Sequence, residues 1–220
     1  SLWYSQAGTP DLTVKRNTAS EGLINLTLSQ SLQQTAAATA IGPMPVPVKL
    51  GLVSKTGEAV KFSIGGQNPA VEQTILLTAD MMDVELELTQ PSLSPVVPSV
   101  LRGFSAPVRL HDDLTVDELG ILATHDTDGF NRYEACQRLS HLALEHRLSS
   151  DSSNAAIEPA LIEAVTTIFE DTSLRHDYKS LCLSIPSQSE VEHHAAEADP
   201  VAIWQARHAR FSNFRRIACP

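Results

Sequence analysis

Residues Met82-Asp83-Val84-Glu85-Leu86-Glu87-Leu88-Thr89 alternate apolar and polar side chains at every position. In a strand, successive side chains point to opposite faces, so this period of two predicts a strand with one buried and one solvated face. The same period occurs at Leu23–Gln30 and at Val46–Val53. The half of the chain from Leu12 to Leu110 is therefore predicted to be β.

Seven segments share this alternation and are separated by turn-forming residues such as Lys55–Glu58 and Gly65–Pro69. The predicted strands are Leu12–Lys15, Leu23–Gln30, Val46–Val53, Ala59–Ser63, Gln73–Thr78, Met82–Thr89 and Pro107–Leu110. Short antiparallel strands at this density are typical of an immunoglobulin-like sandwich of two sheets. A small barrel would produce nearly the same pattern, and both topologies stay open at this point.

Two segments are predicted to be long connections between strands. Gln33–Pro47 is rich in Ala, Thr and Pro, and Gln90–Ser99 contains Pro91, Pro95 and Pro98. Because proline has no backbone N–H to donate to a ladder, neither segment is predicted to be a central strand.

Beyond His111 the apolar residues follow helical spacing. Thr115 or Asp113 is expected to cap a helix that ends near Thr124, and Asp128 the next, which runs to about Arg147. Further helices are predicted over Glu158–Asp171, Leu174–Leu183, Gln188–Ala198 and Asp199–Arg216, after a polar linker at Ser149–Asn154. The last helix opens with Asp-Pro, which fits a cap followed by proline in the first turn.

The overall prediction is an α+β chain with two domains. An all-β immunoglobulin-like sandwich occupies residues 1–110, and an all-α segment occupies residues 111–220. Successive helices with short connections indicate an array or bundle, and a solenoid of helix pairs stays open.

Composition and charge narrow the classes of partner. The 220 residues are 42% hydrophobic and 19% charged, with a net charge of −10 that disfavours binding to a nucleic-acid backbone. There is neither an apolar run long enough to span a membrane nor a secretory signal, so no membrane partner is expected. Ser1 stands where an initiator Met would be, which suggests a chain cut from a longer one.

The cysteines indicate a reducing compartment. Cys136, Cys182 and Cys219 are odd in number and far apart, which argues against a disulfide framework and against a thiolate zinc site. We therefore expect a cytoplasmic location.

The eight histidines suggest metal binding, but their spacing does not. His194 and Glu197 begin the inverted zinc motif His-x-x-Glu-His, yet Ala198 replaces its second histidine. Glu190 and His193 have the Glu-x-x-His spacing of di-iron bundles without a second such helix. His141 and His146 are five apart, which turns them about 140° around a helix and off a common face. No metal ligands are predicted, and a solvated helix face is favoured.

Motifs for nucleophiles, calcium and phosphate are also incomplete. Gly103-Phe104-Ser105-Ala106 resembles the start of a hydrolase elbow, but Pro107 replaces the final Gly, so a strand entry is favoured. Asp126-Thr127-Asp128-Gly129 lacks the third oxygen ligand and the distal Glu of a calcium loop, so helix capping is favoured. Gly65-Gly66 is too short for a phosphate loop. No catalytic or cofactor-binding residue is predicted.

Two weaker signals concern the surface. Asn25-Leu26-Thr27 fits a glycosylation sequon, which matters only in a secreted chain. A basic patch near the C-terminus is interpreted as a solvated or docking helix end rather than a nucleic-acid surface. Its residues are Arg207, His208, Arg210, Phe211, Arg215 and Arg216.

Four colinear segments resemble the bacterial aminopeptidase N family, the M1 zinc metallopeptidases. They are Trp3–Pro10 (Trp-Tyr-Ser-Gln-Ala-Gly-Thr-Pro) with Leu12-Thr13-Val14, Phe104–Leu110, Asp128–Ala135, and Ile185-Pro186-Ser187 with Asp199–Ile203. The family pattern usually carries Trp where Tyr133 stands. The matches extend over nearly the whole chain.

The resemblance implies that the chain is similar to the small third-domain sandwich and the start of the helical domain. In this family the zinc helix His-Glu-x-x-His, its downstream Glu ligand and the Gly-x-Met-Glu-Asn motif belong to the preceding domain, and none of them occurs here. The expected cofactor is therefore zinc in a full-length parent and none in this segment. The expected partners are the parent's catalytic and N-terminal domains and its peptide substrate.

The resemblance favours a non-catalytic segment of a zinc aminopeptidase, inactive alone. A self-contained immunoglobulin-like module that binds a protein partner is the alternative. A helical metal enzyme centred on His193 and His194 is the third hypothesis.

Overall fold

A computed structural model describes Trp3 and residues 8–17, 22–32, 42–93, 95–148, 156–194 and 199–208. The chain forms two compact units. Unit 1 comprises Ser1–Leu114 together with Asp126–Asn131, and unit 2 comprises Thr115–His125 together with Arg132–Pro220.

Unit 1 contains two β-sheets built from strands β1 to β8. Their bounds are β1 Asp11–Asn17, β2 Leu23–Ser31, β3 Val46–Ser54, β4 Phe62–Ile64, β5 Glu72–Leu77, β6 Met81–Leu88, β7 Val96–Val100 and β8 Arg109–His111. Five strands form one sheet in the order β4-β6-β2-β1-β8, and three form the other in the order β5-β3-β7. This confirms the predicted two-sheet, immunoglobulin-like arrangement and excludes the barrel.

The alternating apolar residues of both sheets meet in one core. Leu26 and Leu28 of β2 and Leu86 of β6 are fully buried there, together with Leu50 of β3 and Phe62 of β4. The polar positions between them on β6 are exposed, as the period of two requires. Burial of this shared face accounts for the sandwich.

Strand β7 corrects the prediction that Gln90–Ser99 is only a connection. Val96–Val100 pairs antiparallel with β3, and Pro98 lies opposite Leu52. Because β7 is the edge of its sheet, only one side of it needs ladder hydrogen bonds, which is why proline is tolerated there. Of the other predicted connection, residues 33–41 lie outside the described residues, and Val46 and Pro47 begin β3, which is the central strand of its sheet and so corrects the prediction. Proline is tolerated at this position because β3 pairs there with β5 alone, since its pairing with β7 begins at Leu50.

Two further details differ from the predicted strands. β8 pairs in parallel with β1, with Asp11 opposite Arg109, so the sandwich is not wholly antiparallel. The strand predicted at Ala59–Ser63 begins later, at Phe62, while Ala59 makes only an isolated bridge to Val53.

Unit 2 is helical. Its helices are α1 Val116–His125, α2 Gly129–Leu148, whose first three residues are counted in unit 1, α3 Ile157–Glu170, α4 His176–Cys182 and α5 Gln188–His194, and residues 200–208 are helical as well. The predicted linker at 149–154, together with residues 195–198 and 209–216 of the predicted helices, lies outside the described residues. Within the described ranges, no helix combines the length and apolar composition needed to cross a bilayer.

The predicted helix caps are confirmed. Thr115 Oγ1 accepts a hydrogen bond from the Glu118 amide at 3.3 Å, while Glu118 accepts one from the Thr115 amide at 2.8 Å. This reciprocal pair is a capping box. Asp128 Oδ1 accepts from the Asn131 amide at 2.9 Å, and Asp199 Oδ1 from the Val201 amide at 2.9 Å.

Candidate functional site

The turn after β7 has a strained backbone. Leu101 and Phe104 have φ angles of 60° and 53°. These values lie in the left-handed region, which is unfavourable for residues other than glycine. Strain of this kind persists only where the surrounding structure holds it in place. The turn carries Arg102, whose side chain is 4% exposed.

The buried guanidinium of Arg102 is surrounded by acceptors. Nε donates to Glu72 Oε1 at 2.7 Å, and Nη2 donates to Thr127 Oγ1 at 2.7 Å. Nη1 donates to Ser99 Oγ at 3.1 Å and to Asp126 Oδ1 at 2.8 Å. A buried charge is tolerated only when it is paired and hydrogen-bonded, and these contacts satisfy that requirement. Arg102, Glu72, Ser99, Asp126 and Thr127 are called the arginine cluster below.

Gly51 provides the space for the guanidinium. It lies on β3 between Glu72 of β5 and Ser99 of β7, so the three residues form one row across the sheet. Leu50 and Leu52 face the core, which places this row on the opposite face. A Cβ on Gly51 would lie 2.6 Å from Arg102 Nη1 and 2.8 Å from Cδ. Glycine is therefore required by the close approach of the arginine.

The segment from Asp126 to Asn131 completes the cluster from a distant part of the sequence. Asp128 Oδ2 accepts from the Gly103 amide at 2.8 Å, which holds the strained turn directly. Asn131 Nδ2 donates to Ser99 Oγ at 2.7 Å and to the Val100 carbonyl at 2.8 Å. All of these contacts lie within unit 1.

The charges of the cluster balance. Burial raises the pKa of Asp126, against the opposing effects of Ser99, the Asp128 amide and Arg102. The hydrogen bond from Lys49 and the contacts with Arg102 lower the pKa of Glu72, whose Oε2 lies 2.6 Å from Lys49 Nζ. Two cations thus face two carboxylates, and the chemistry that this arrangement supports is structural pairing rather than capture of a charged ligand.

The residues of the incomplete motifs have structural roles. Ser105 Oγ donates to the Pro47 carbonyl at 2.9 Å and accepts from the Lys49 amide at 3.1 Å, so it pairs with β3 where β7 does not reach. The Gly103–Ala106 segment is a turn that leads toward β8, which begins at Arg109 rather than at the predicted Pro107. Asp126 and Asp128 bind Arg102 and backbone amides, as described above. Gly65 and Gly66 form a turn with positive φ.

The residues considered as metal ligands are only partly described. Glu190 Oε2 accepts from the Ser187 amide at 2.6 Å, and Ser187 Oγ accepts from the Glu190 amide, which forms a second capping box. These hydrogen bonds lower the pKa of Glu190. The side chains of His193 and His194 lie outside the described part, as does Glu197. Among the described residues, no three His, Cys, Asp or Glu side chains form a group that could hold a metal ion.

The structure describes the glycosylation sequon and part of the predicted basic patch. Asn25 lies on β2, and Thr27 Oγ1 accepts from Asn17 and donates to Asp83. Arg207 Nε donates to the Pro186 carbonyl at 2.9 Å, and His208 stacks on Trp204. The remaining residues of the predicted basic patch lie beyond position 208, outside the described ranges.

Sequence reasoning missed the arginine cluster. Its members stand at positions 72, 99, 102, 126 and 127, and no spacing rule connects them. Arginine is rarely buried unless it is paired, so the sequence gives no local reason to expect a buried charge at Arg102.

Two family models match the chain in tandem. A domain of unknown function with an Ig-like fold, DUF3458, matches residues 8–113. A domain of unknown function with ARM repeats, DUF3458_C, matches residues 116–216. Of the helical arrangements left open by the sequence, the ARM-repeat description supports the solenoid of helix pairs.

Curated relatives agree with these models. Aminopeptidase N of Caulobacter vibrioides is 32% identical over 206 residues, which cover 93% of this chain and 22% of the relative. Aminopeptidase N of Escherichia coli is 26% identical over 210 residues, which cover 94% of this chain and 24% of the relative. In fold, the chain matches the crystal structure of Legionella pneumophila aminopeptidase A in complex with aspartic acid, with a TM-score of 0.75 and 19% identity over 97% of this chain and 23% of that one.

The fold and the matches together define the class as an immunoglobulin-like domain followed by ARM-repeat helices. Over 93–94% of its length the chain is similar to one part of aminopeptidase N. It spans between 22% and 24% of the length of the curated relatives it matches.

Substitution of Gly51 by Ala is expected to destabilise unit 1 by about 1–3 kcal/mol, because the new Cβ overlaps the Arg102 guanidinium. Urea unfolding followed by circular dichroism measures the change. Gly42→Ala is the matched control, since a Cβ there meets nothing within 4 Å, and it is expected to stay within about 0.5 kcal/mol of the parent chain. Equal losses in both variants would contradict the packing role of Gly51.

Substitution of Arg102 by Met is expected to cost about 3–5 kcal/mol, because it leaves the Asp126 carboxylate buried without its cation. Arg16→Met removes the ion pair with Asp113, whose side chains are 24% and 44% exposed, and is expected to cost about 1 kcal/mol or less. The same unfolding measurement compares them. A loss for Arg102→Met no larger than for Arg16→Met would show that the cluster contributes little.

Proposed function

We propose that this chain is a non-catalytic segment of a zinc-dependent aminopeptidase of the M1 family, which removes N-terminal residues from peptides. The observation that carries the proposal is the match to aminopeptidase N over 93% of this chain but 22% of that enzyme. In this proposal the sandwich, residues 1–110, spaces the catalytic domain from the helices. The helices, residues 111–220, form part of the domain that closes the active site.

The use of polar side chains within the segment supports a structural role. Ser105, Asp126, Asp128 and Glu190 are residue types that act in catalysis or metal binding elsewhere, but here each is committed to backbone groups or to Arg102. A carboxylate that pairs with a guanidinium or caps a helix stabilises the fold in its ionised form.

The donor set of the described residues does not fit a catalytic zinc. Such a site needs three protein ligands that converge on an open position. Of the two carboxylates in the incomplete calcium-loop motif, Asp126 points Oδ1 at Arg102, and Asp128 points its oxygens at the amides of Gly103 and Asn131. We therefore assign the zinc of the proposed enzyme to another part of the parent chain.

The proposed partners are the catalytic and N-terminal domains of the same parent chain, with a peptide as the substrate of the whole enzyme. The net charge of −10 supports the absence of a nucleic-acid partner, and the buried free thiols Cys136 and Cys182 support a cytoplasmic location.

A chimera tests the proposal. The segment of Caulobacter vibrioides aminopeptidase N that matches this chain is replaced by residues 1–220, and hydrolysis of alanine p-nitroanilide is measured. We expect the chimera to be active and the isolated chain to be inactive, because the segment supports the catalytic centre without contributing to it. Zinc content is measured for both proteins.

Two controls make the outcome decisive. The same enzyme with the segment deleted reports the activity that remains without it, and a thermal melt shows whether the chimera is folded. Turnover by the isolated chain with bound stoichiometric zinc would overturn the proposal. A folded, zinc-loaded chimera that is no more active than the deletion would also overturn it.

A further inference from the structure

Two aromatic side chains of unit 1 lie together at its surface. Phe104 stands in the turn after β7, and Phe130 is the second residue of α2, within the part of α2 that belongs to unit 1. Their ring centroids are 5.2 Å apart and the ring planes are tilted by 57°, which is a favourable aromatic contact. Phe104 is nevertheless 55% exposed, while Phe130 is partly buried. The two residues are called the aromatic pair below.

The turn that carries Phe104 is fixed on both sides of this residue. Leu101 and Ala106 are buried in the sandwich core. The Gly103 amide donates to a carboxylate at 2.8 Å, and Ser105 Oγ bonds two backbone groups of β3 at 2.9 and 3.1 Å. Of residues 101–106, all of which the structure describes, Phe104 alone carries a large exposed side chain. The turn therefore holds one aromatic ring outward on a rigid support.

The position of Phe104 is unfavourable within unit 1. Its φ of 53° is a conformation that glycine adopts freely and a bulky residue does not. The exposed part of the ring buries no apolar surface in the unit, so packing of the core does not explain an aromatic residue here. Backbone strain that the surrounding structure maintains is concentrated at functional sites. The strain and the exposure together indicate that the ring contacts something outside unit 1.

A rigid, exposed aromatic pair suits contact with another protein surface. Aromatic residues are enriched in the buried centres of protein interfaces. A side chain that is already held in one conformation loses little entropy on binding, which favours association. Each phenylalanine also follows an exposed glycine, Gly103 or Gly129, so the preceding residue has no side chain that could cover the ring.

The rest of the parent chain is the partner that fits this surface. The chain matches only 22–24% of the length of its curated relatives, so most of the proposed enzyme lies outside it. Domains of one chain bury apolar patches against each other that a separated domain exposes. A second copy of this chain is disfavoured as the partner, because each copy carries a net charge of −10.

We propose that the aromatic pair is a docking surface through which unit 1 contacts an apolar surface of another domain of the parent enzyme. The proposal rests on the proposed function, which assigns the chain to a longer enzyme but names no contact surface. The arginine cluster then has a further role, because it fixes Arg102 two residues before Phe104 and so holds the turn that presents the ring.

Thiol labelling measures whether position 104 is covered. Phe104→Cys is made in the isolated chain and in the Caulobacter chimera, and labelling by N-ethylmaleimide is followed by peptide mass spectrometry. We expect labelling in the chimera to be slower by about tenfold or more, because the docked surfaces must separate before the reagent can enter. Leu76→Cys is the matched control, since Leu76 is 54% exposed on β5 and is expected to react at the same rate in both proteins.

Equal labelling of Phe104→Cys in the two proteins would overturn the proposal, and so would equal slowing at positions 76 and 104. The positions of intact Caulobacter vibrioides aminopeptidase N that match these two residues are also replaced by Cys, with the urea-unfolded protein as the reference rate. This arm does not depend on folding of the chimera, and the same slow labelling at the position that matches Phe104 is expected. The chimera without substitutions tests the proposed function separately, because its activity does not depend on the labelling result.

Phe104→Gly separates docking from a structural role of the ring. Glycine accepts the φ of this position, so the isolated chain is expected to melt within about 3 °C of the unsubstituted chain. The chimera is expected to melt at a temperature lowered by more than that, because it loses an aromatic anchor of the interface. A decrease as large in the isolated chain as in the chimera would show that the ring only stabilises unit 1. That result, or an unchanged melt of the chimera, would overturn the proposal.

Discussion

Burial of the Arg102 charge is the constraint from which much of unit 1 follows. A guanidinium removed from water needs acceptors around its plane, and the three-stranded sheet presents only two side-chain acceptors in the row that it crosses, those of Glu72 and Ser99. Asp126 and Thr127 therefore complete the set from a segment 24 and 25 residues further along the chain. Gly51 leaves the space, and Asp128 holds the strained turn that delivers the arginine.

The features that were predicted correctly depend on residues close to one another in the sequence. The period of two along Met82–Leu88 and Leu23–Gln30 reflects burial of one face, so these strands were predictable within one or two residues. The caps at Thr115, Asp128 and Asp199 were predictable because a side-chain oxygen bonds an amide two or three residues away. β7 was missed because the penalty for proline depends on whether a strand is central or at an edge, which only the assembled sheet determines.

The arginine cluster was not predictable for a related reason. The same carboxylates that resemble fragments of a calcium loop, Asp126 and Asp128, are assigned by the structure to a guanidinium and to amides. A short motif shows which side-chain oxygens are present but not what they bind. The partner of Asp126 is Arg102, which lies in the turn after β7, 24 residues earlier in the chain. The motif around Ser105 likewise did not reveal its partners. The Ser105 hydroxyl bonds the backbone of Pro47 and Lys49 on β3, where β7 does not pair.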